Sequence, residues 1–195
     1  WNDLLAVYNR LLEAARSEKD LPRQVDMLRR IAGIHADSLN NPSRAMELLA
    51  DAMALAPGDK ESRNMLARIH ESRKDWRALI DLRKSELASA EGPEALEIRV
   101  ALARLIEERL GDREEAIAAW REILIQHGDV DVALQALFNI YEKDGRWAEA
   151  AEILRRKVEQ AADPEAAVEL LTRLAVLHAE KLDQQAESIV IWADV

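Results

Sequence analysis

Apolar residues recur along this chain at three- and four-residue intervals, which places them on one face of a helix, and short polar turn signals break the pattern at regular distances. The stretch from Leu102 to Leu124, LARLIEERLGDREEAIAAWREIL, is the template: a helix, a stop at Leu110-Gly111-Asp112, and a second helix. IAGIHADSLNNPSRAMELLADAM (Ile31 to Met53) and LAVLHAEKLDQQAESIVIWADV (Leu174 to Val195) carry the same landmarks. No stretch alternates apolar and polar residues as a half-buried strand does. The pattern predicts an opening helix over 1–16, with Leu4, Leu5, Tyr8, Leu11 and Leu12 on one face. Asp20-Leu21-Pro22 then starts a helix to Ser38, because proline suits a first turn. Further helices are expected over 43–55, 59–72, 76–90, 94–110, 113–126, 130–143, 147–161, 163–181 and 185–195.

The punctuation is periodic. Pro22, Pro93 and Pro164 are spaced by 71 residues (93 − 22 and 164 − 93), as are Trp76 and Trp147, while Trp120 and Trp192 lie 72 apart. A unit of this length holds four helical segments, or two hairpins. Trp1 lies 75 residues before Trp76, so the first unit carries four extra residues, which fall near Ser17 to Arg23. Short connections between consecutive helices imply antiparallel neighbours. The expected fold is therefore all-α, an α-solenoid of about eleven helices forming a single domain over 1–195. Its hairpins cover 22–56, 59–90, 94–127, 130–161 and 164–195, preceded by an orphan helix over 1–16.

Composition narrows the function. The 195 residues include 37 acidic and 27 basic side chains, a formal charge of −10, which argues against a nucleic-acid partner because phosphate binding needs a basic face. Apolar runs are far shorter than the roughly 20 residues that span a bilayer, so no membrane insertion is expected. With no cysteine, disulfides and thiolate metal sites are excluded. The chain opens at Trp1 without a basic-then-apolar leader and stops inside a helix. It is read as a piece of a longer bacterial-type helical repeat array, soluble, with a cytoplasmic location favoured and export left open.

Within each hairpin the residues resemble the tetratricopeptide repeat: a Leu followed by a small residue, an aromatic or bulky residue, a turn, a small Ala, and a bulky residue four positions on. The fourth hairpin carries Leu134, Leu137-Phe138, Tyr141, Gly145, Ala150 and Leu154, and the third carries Leu102-Ala103, Ile106, Ala116, Trp120 and Ile123. Ile31-Ala32, His35, Ala45 and Leu49 stand in the first, Leu66-Ala67, His70 and Leu79 in the second, and Leu174-Ala175, His178, Ser188 and Trp192 in the fifth. The third hairpin has one extra turn residue, and Phe138 stands where a small residue is usual. The pattern has a packing reason: Ala32, Ala67, Ala103 and Ala175 allow close helix crossings, while larger residues fill the space between hairpins.

Several clusters that resemble sites dissolve in this register. His35, His70 and His178 occupy one slot in three different hairpins, so they read as structural residues, and His127 ends a helix where a cation suits the dipole. Glu107-Glu108 and Glu114-Glu115 have no converging nucleophile, histidine or oxyanion donor, and the glycines form no phosphate loop. Neither catalysis, nor a cofactor, nor a metal is expected. Trp76, Trp120, Trp147 and Trp192 recur at apolar slots and are expected in the core.

The resemblance implies a right-handed α-solenoid that serves as a scaffold for protein–protein interaction, in which first helices line a concave groove that holds a partner peptide or helix. By register, the groove contacts would be Arg29, Asn64, Arg68, Arg104, Gln135 and Asn139, a polar ladder suited to an extended or acidic segment. Gly33, Val100, Thr172 and Val176 would share that face. The alternatives are a helical-repeat RNA binder and the non-catalytic repeat region of a larger enzyme. At the ends, Ile189, Ile191, Trp192 and Val195 on one side and Leu4, Leu5, Tyr8 and Leu11 on the other lie where a neighbouring hairpin would dock. End-to-end self-association through these terminal helices, or flanking repeats, is therefore expected.

Overall fold

Helix starts in this chain are written in its Asp, Asn and Pro residues. In the computed structural model, which describes residues 1–193, an acid or amide oxygen accepts a first-turn backbone N–H at six helix starts. Asp20 accepts from Arg23 at 3.1 Å, Asn41 from Arg44 at 3.2 Å, Asp59 from Ser62 at 3.0 Å and Asp75 from Ala78 at 3.3 Å. Asp112 accepts from Glu115 at 3.0 Å and Asp163 from Glu165 at 3.2 Å. Each satisfies a donor that the helix cannot. Pro22, Pro42, Pro93 and Pro164 sit in first turns, where a missing N–H costs nothing.

The described residues form eleven α-helices and no strand: α1 (Asn2–Ser17), α2 (Leu21–Gly33), α3 (Pro42–Leu55), α4 (Lys60–Ser72), α5 (Trp76–Leu87) and α6 (Gly92–Leu105). Then come α7 (Arg113–His127), α8 (Asp131–Lys143), α9 (Trp147–Gln160), α10 (Pro164–Glu180) and α11 (Gln185–Ala193). The expected helices are all present, with ends shifted by a few residues. The α5 helix, for example, stops at Leu87 and not at Ala90.

What the apolar pattern does not reveal is how the first helices of alternate hairpins end. Both α2 and α6 run on into one π-helical turn, Ile34–Ser38 and Ile106–Leu110, positions 72 apart. Backbone bonds from Leu39 N–H to the Ile34 carbonyl at 3.0 Å and from Gly111 N–H to Ile106 at 3.1 Å close these wide turns. They absorb the additional turn residue of these hairpins without moving the second helix out of register. A positive φ marks each turn between first and second helix: Asn40, Lys74, Gly111, Gly145 and Asp183. Gly111, at φ 71°, is the left-handed cap expected there.

The chain divides into two compact units, Trp1–Leu82 and Arg83–Val195. In the first, α2 packs between α1 and α3, and α4 covers the far side of α3. Its core joins Leu12, Leu28, Ile31 and Leu49 around the small Ala32, Ala45 and Ala52. In the second unit, each of α6 to α11 packs on its neighbour in sequence. Trp120, Phe138 and Tyr141 are its largest fully buried side chains. Ala32, Ala67, Ala103 and Ala175 are all buried, as the close-crossing argument requires.

Tryptophan corrects the sequence reading. Trp120 is in the core, Trp76 and Trp147 are half-buried, and Trp192 is exposed. A slot in the repeat fixes where a ring points, and its burial depends on what packs over it. Val195 lies outside the described residues.

Candidate functional site

The polar ladder read from the sequence falls on the first helices, with Arg29, Asn64 and Arg68 in the first unit and Arg104, Gln135 and Asn139 in the second. These residues differ in how free they are. Arg29, on α2, is held by acids. Its guanidinium lies 3.3 Å from Asp59 and 3.6 Å from Asp26, and it also pairs with Glu61. It ties α2 to the start of α4 and is largely covered. Asp59 feels this arrangement. Burial pushes its carboxyl up, but hydrogen bonds from Ser62 and the nearby Arg29 charge outweigh that and leave it below the usual range.

Asn64 and Arg68 stand exposed on α4. Arg68 lines a cleft of about 580 Å³ with Asp37, Asn40, Met65, Ser72 and Arg73. The far end of Arg73 reaches Ser43 at 3.4 Å. The cleft offers two guanidinium groups, an amide and a hydroxyl against one carboxylate, a surface that can bind carboxylates and peptide carbonyls. Asn40, Ser72 and Arg73 were not in the ladder read from the sequence. Asn40 comes from the turn after the π-helical segment, whose course the apolar pattern does not encode, and Ser72 and Arg73 come from the end of α4. Gly33 faces this region at close range: a Cβ there would meet Met65 Cε at 3.6 Å.

In the second unit Arg104 and Asn139 are exposed, while Gln135 is half-buried. Gln135 donates to Asn139 Oδ1 at 2.9 Å and accepts from Lys157 Nζ at 2.6 Å. Lys157 also lies 3.2 Å from Asp131. Beside it opens a cleft of about 480 Å³ lined by Asp131, Lys157, Gln160, Glu169, Leu170 and Arg173. Arg173 lies over the Phe138 ring at 4.3 Å and reaches Glu142 at 3.0 Å. A large ring in the slot usually given to a small residue thus supplies a platform for a cation of α10, the first helix of the following hairpin. Lys157 escaped the sequence reading because it sits one helix away from Gln135, the ladder residue it serves, and Arg173 because it stands on α10 while its partners Phe138 and Glu142 are on α8.

The histidines are not gathered together. His178, buried on α10, meets Arg155 Nη2 at 3.1 Å through Nε2 and Gln184 Oε1 at 2.8 Å through Nδ1. Among the described residues no group of three or more His, Asp and Glu is placed to hold a metal ion. No helix among them is long and apolar enough to cross a membrane.

These hairpins place small residues at the crossings, a positive-φ residue in the turn and bulky residues between neighbours. Residues 133–167 match the family model of the tetratricopeptide repeat. Among solved structures, MamA of AMB-1 is 20% identical, with 86% of this chain and 98% of that chain covered and a TM-score of 0.45. A mutant of MamA is 19% identical, with 87% and 99% covered and a TM-score of 0.41. No curated protein matches the sequence.

Proposed function

We propose that this chain is a scaffold for protein–protein interaction, and that the exposed polar side chains of its first helices contact the partner. The observation that carries the reading is the position of Arg68 and Arg104. Both stand exposed at corresponding places on first helices, and among the described residues neither takes part in an ion pair. An unpaired guanidinium keeps all its donors for a carboxylate or a run of peptide carbonyls. The partner is an extended or acidic peptide segment. Asn64, Gln135 and Asn139 add amide groups that pair with its backbone, and Arg29, already neutralised by acids, holds α2 and α4 together beneath that surface.

The test is a double substitution. Arg68→Glu with Arg104→Glu reverses two charges on the proposed face, and Arg10→Glu with Arg16→Glu reverses two exposed charges on α1. Partners captured from cells by the full chain are quantified, then titrated against each variant. The first pair weakens binding at least tenfold and the second leaves it within twofold. Equal losses from both pairs would overturn the assignment of this face.

A further inference from the structure

Two clefts stand at the same place in the repeat, one in each unit. The cleft of about 580 Å³ beside Arg68 lies among the π-helical end of α2, the start of α3 and the end of α4. Another, of about 430 Å³, lies among the π-helical end of α6, the start of α7 and the end of α8. Their linings coincide at an offset of 71 residues (144 − 73): Asn40 with Gly111, Pro42 with Arg113, Ile69 with Ile140 and Arg73 with Asp144. Asn40 and Gly111 both hold a positive φ, 48° and 71°, so the turn is shared as well. The charges are not shared.

In the second unit an ion pair crosses the cleft. Arg113, on the first turn of α7, pairs with Asp144 at the end of α8. In the first unit the same crossing holds a cation alone. Arg73 stands where Asp144 does, and the uncharged Pro42 stands where Arg113 does. The guanidinium of Arg73 reaches the Ser43 hydroxyl at 3.4 Å. Arg68, the counterpart of Asn139, adds a second guanidinium to the lining. Both arginines are exposed, and among the described residues neither takes part in an ion pair. The acids sit on the π-helical segments, Asp37 in the first cleft and Glu107 and Glu108 in the second. The first lining therefore carries a net charge of +1 (Arg68 and Arg73 against Asp37). The second carries −1 (Arg113 and Lys143 against Glu107, Glu108 and Asp144).

We propose that the first cleft is a carboxylate site, in which an acidic side chain of the bound segment sits between Arg68 and Arg73. It supplies from outside the charge that Arg113 and Asp144 balance within the chain. The proposal rests on the reading of the partner as an extended or acidic peptide, and gives that segment a point of attachment. Two guanidinium groups offer a carboxylate more donors than its two oxygens can use, and the Asn40 amide lines the same cleft. Asp37 sets the size of the charge. A single carboxylate neutralises a lining of +1, whereas a phosphoryl group, at about −1.5 to −2, leaves the cleft negative.

The probe is a fluorescein-labelled peptide of six glutamates, titrated into the full chain at low salt and followed by anisotropy. Saturable binding is expected, weakening as salt is added. Ser43→Glu places an internal carboxylate against Arg73, in a first helical turn where an acid suits the dipole. It should therefore weaken binding at least tenfold while the melting temperature holds or rises. Arg73→Asp, which copies the second unit, should do the same from the other wall, and Asp37→Asn should tighten binding. Arg10→Glu on α1 leaves it within twofold. Absence of saturable binding, or binding indifferent to Ser43→Glu and Arg73→Asp, overturns the proposal. So does equal or tighter binding of a peptide with phosphoserine in place of one central glutamate. Captured partners that respond to Arg68→Glu with Arg104→Glu but ignore Ser43→Glu would remove this cleft and leave the scaffold reading standing. Loss of the glutamate peptide in Ser43→Glu, with captured partners indifferent to every variant, would keep the site and sink that reading instead.

Discussion

Trp120 and Trp192 allow one substitution to be made twice in the same repeat slot with only the cover changed. Removing a buried Trp side chain costs about 3–5 kcal/mol, part transfer and part cavity. Trp120 fits that case: it is fully buried, and its Nε1–H donates to Glu107 Oε2 at 2.9 Å. Losing that bond adds about 0.5–1.5 kcal/mol. Trp120→Ala is therefore expected to lower stability by about 4–5 kcal/mol. Trp192 leaves roughly half its surface in water, so about half the transfer contribution is at stake. No cavity forms, because solvent fills the space. Trp192→Ala is expected to cost about 1 kcal/mol.

The assay is urea unfolding followed by far-ultraviolet circular dichroism, with the slope of each transition compared to the parent. Repeat proteins can lose cooperativity, and an altered slope would reveal it. A gap of about 3 kcal/mol between the variants supports the register and the open face of α11 together. If Trp192→Ala costs as much as Trp120→Ala, the Trp192 ring is covered in solution and the register argument fails. If both cost little, Trp120 does not anchor the second unit.

Three further outcomes are expected. Ala103→Trp forces a ring into a fully buried crossing on α6 and should cost about 1–3 kcal/mol or more, whereas Glu108→Ala on the exposed side stays within about ±0.5 kcal/mol; equal urea midpoints would contradict the packing. Lys74 holds φ 56° in a turn where the fourth hairpin uses Gly145 at φ 68°, so Lys74→Gly should raise the urea midpoint by the equivalent of about 0.5–1 kcal/mol and Gly145→Ala should lower it. Asp59, with its carboxyl held below the usual range, stabilises the fold above the unfolded carboxylate value of about 4 and loses that contribution as pH falls through the folded value; Asp59→Asn should therefore flatten stability between about pH 5 and pH 3, and an unchanged acid limb would refute it.

Much of this architecture is legible in the sequence because its signals are local. Aspartates and prolines announce helix starts, Ala32, Ala67, Ala103 and Ala175 mark crossings, and Gly111 and Gly145 mark left-handed turns. The π-helical ends at Ile34–Ser38 and Ile106–Leu110 were not legible, since a single extra turn residue can be absorbed in several ways. Trp192 carried two sequence readings, a core slot of the repeat and an apolar end awaiting a neighbour, and its 46% exposure agrees with the second. The ladder was legible as positions and not as chemistry. Arg29 and Arg68 occupy first helices alike, yet one is surrounded by Asp26, Asp59 and Glu61 while the other borders a cleft.

That difference reflects how this acidic chain uses its arginines. Arg146 lies 2.8 Å from Glu149, 3.1 Å from Glu114, and over the Tyr141 ring at 4.9 Å, so one guanidinium joins the α9 start to α7 and α8. Arg113 pairs with Asp144 and Arg156 with Asp129, and Arg173 reaches Glu142 at 3.0 Å; each partner lies about one hairpin away in sequence. Exposed single pairs contribute little to stability, but a planar group touching two acids and a ring at once constrains the relative rotation of neighbouring helices. Within each unit, then, many of the basic residues serve as fasteners between hairpins. They do not pool into a basic face, which is what phosphate binding needs. An unpaired arginine on such a surface stands out against its neighbours, and Arg68 and Arg104 carry the partner assignment for that reason.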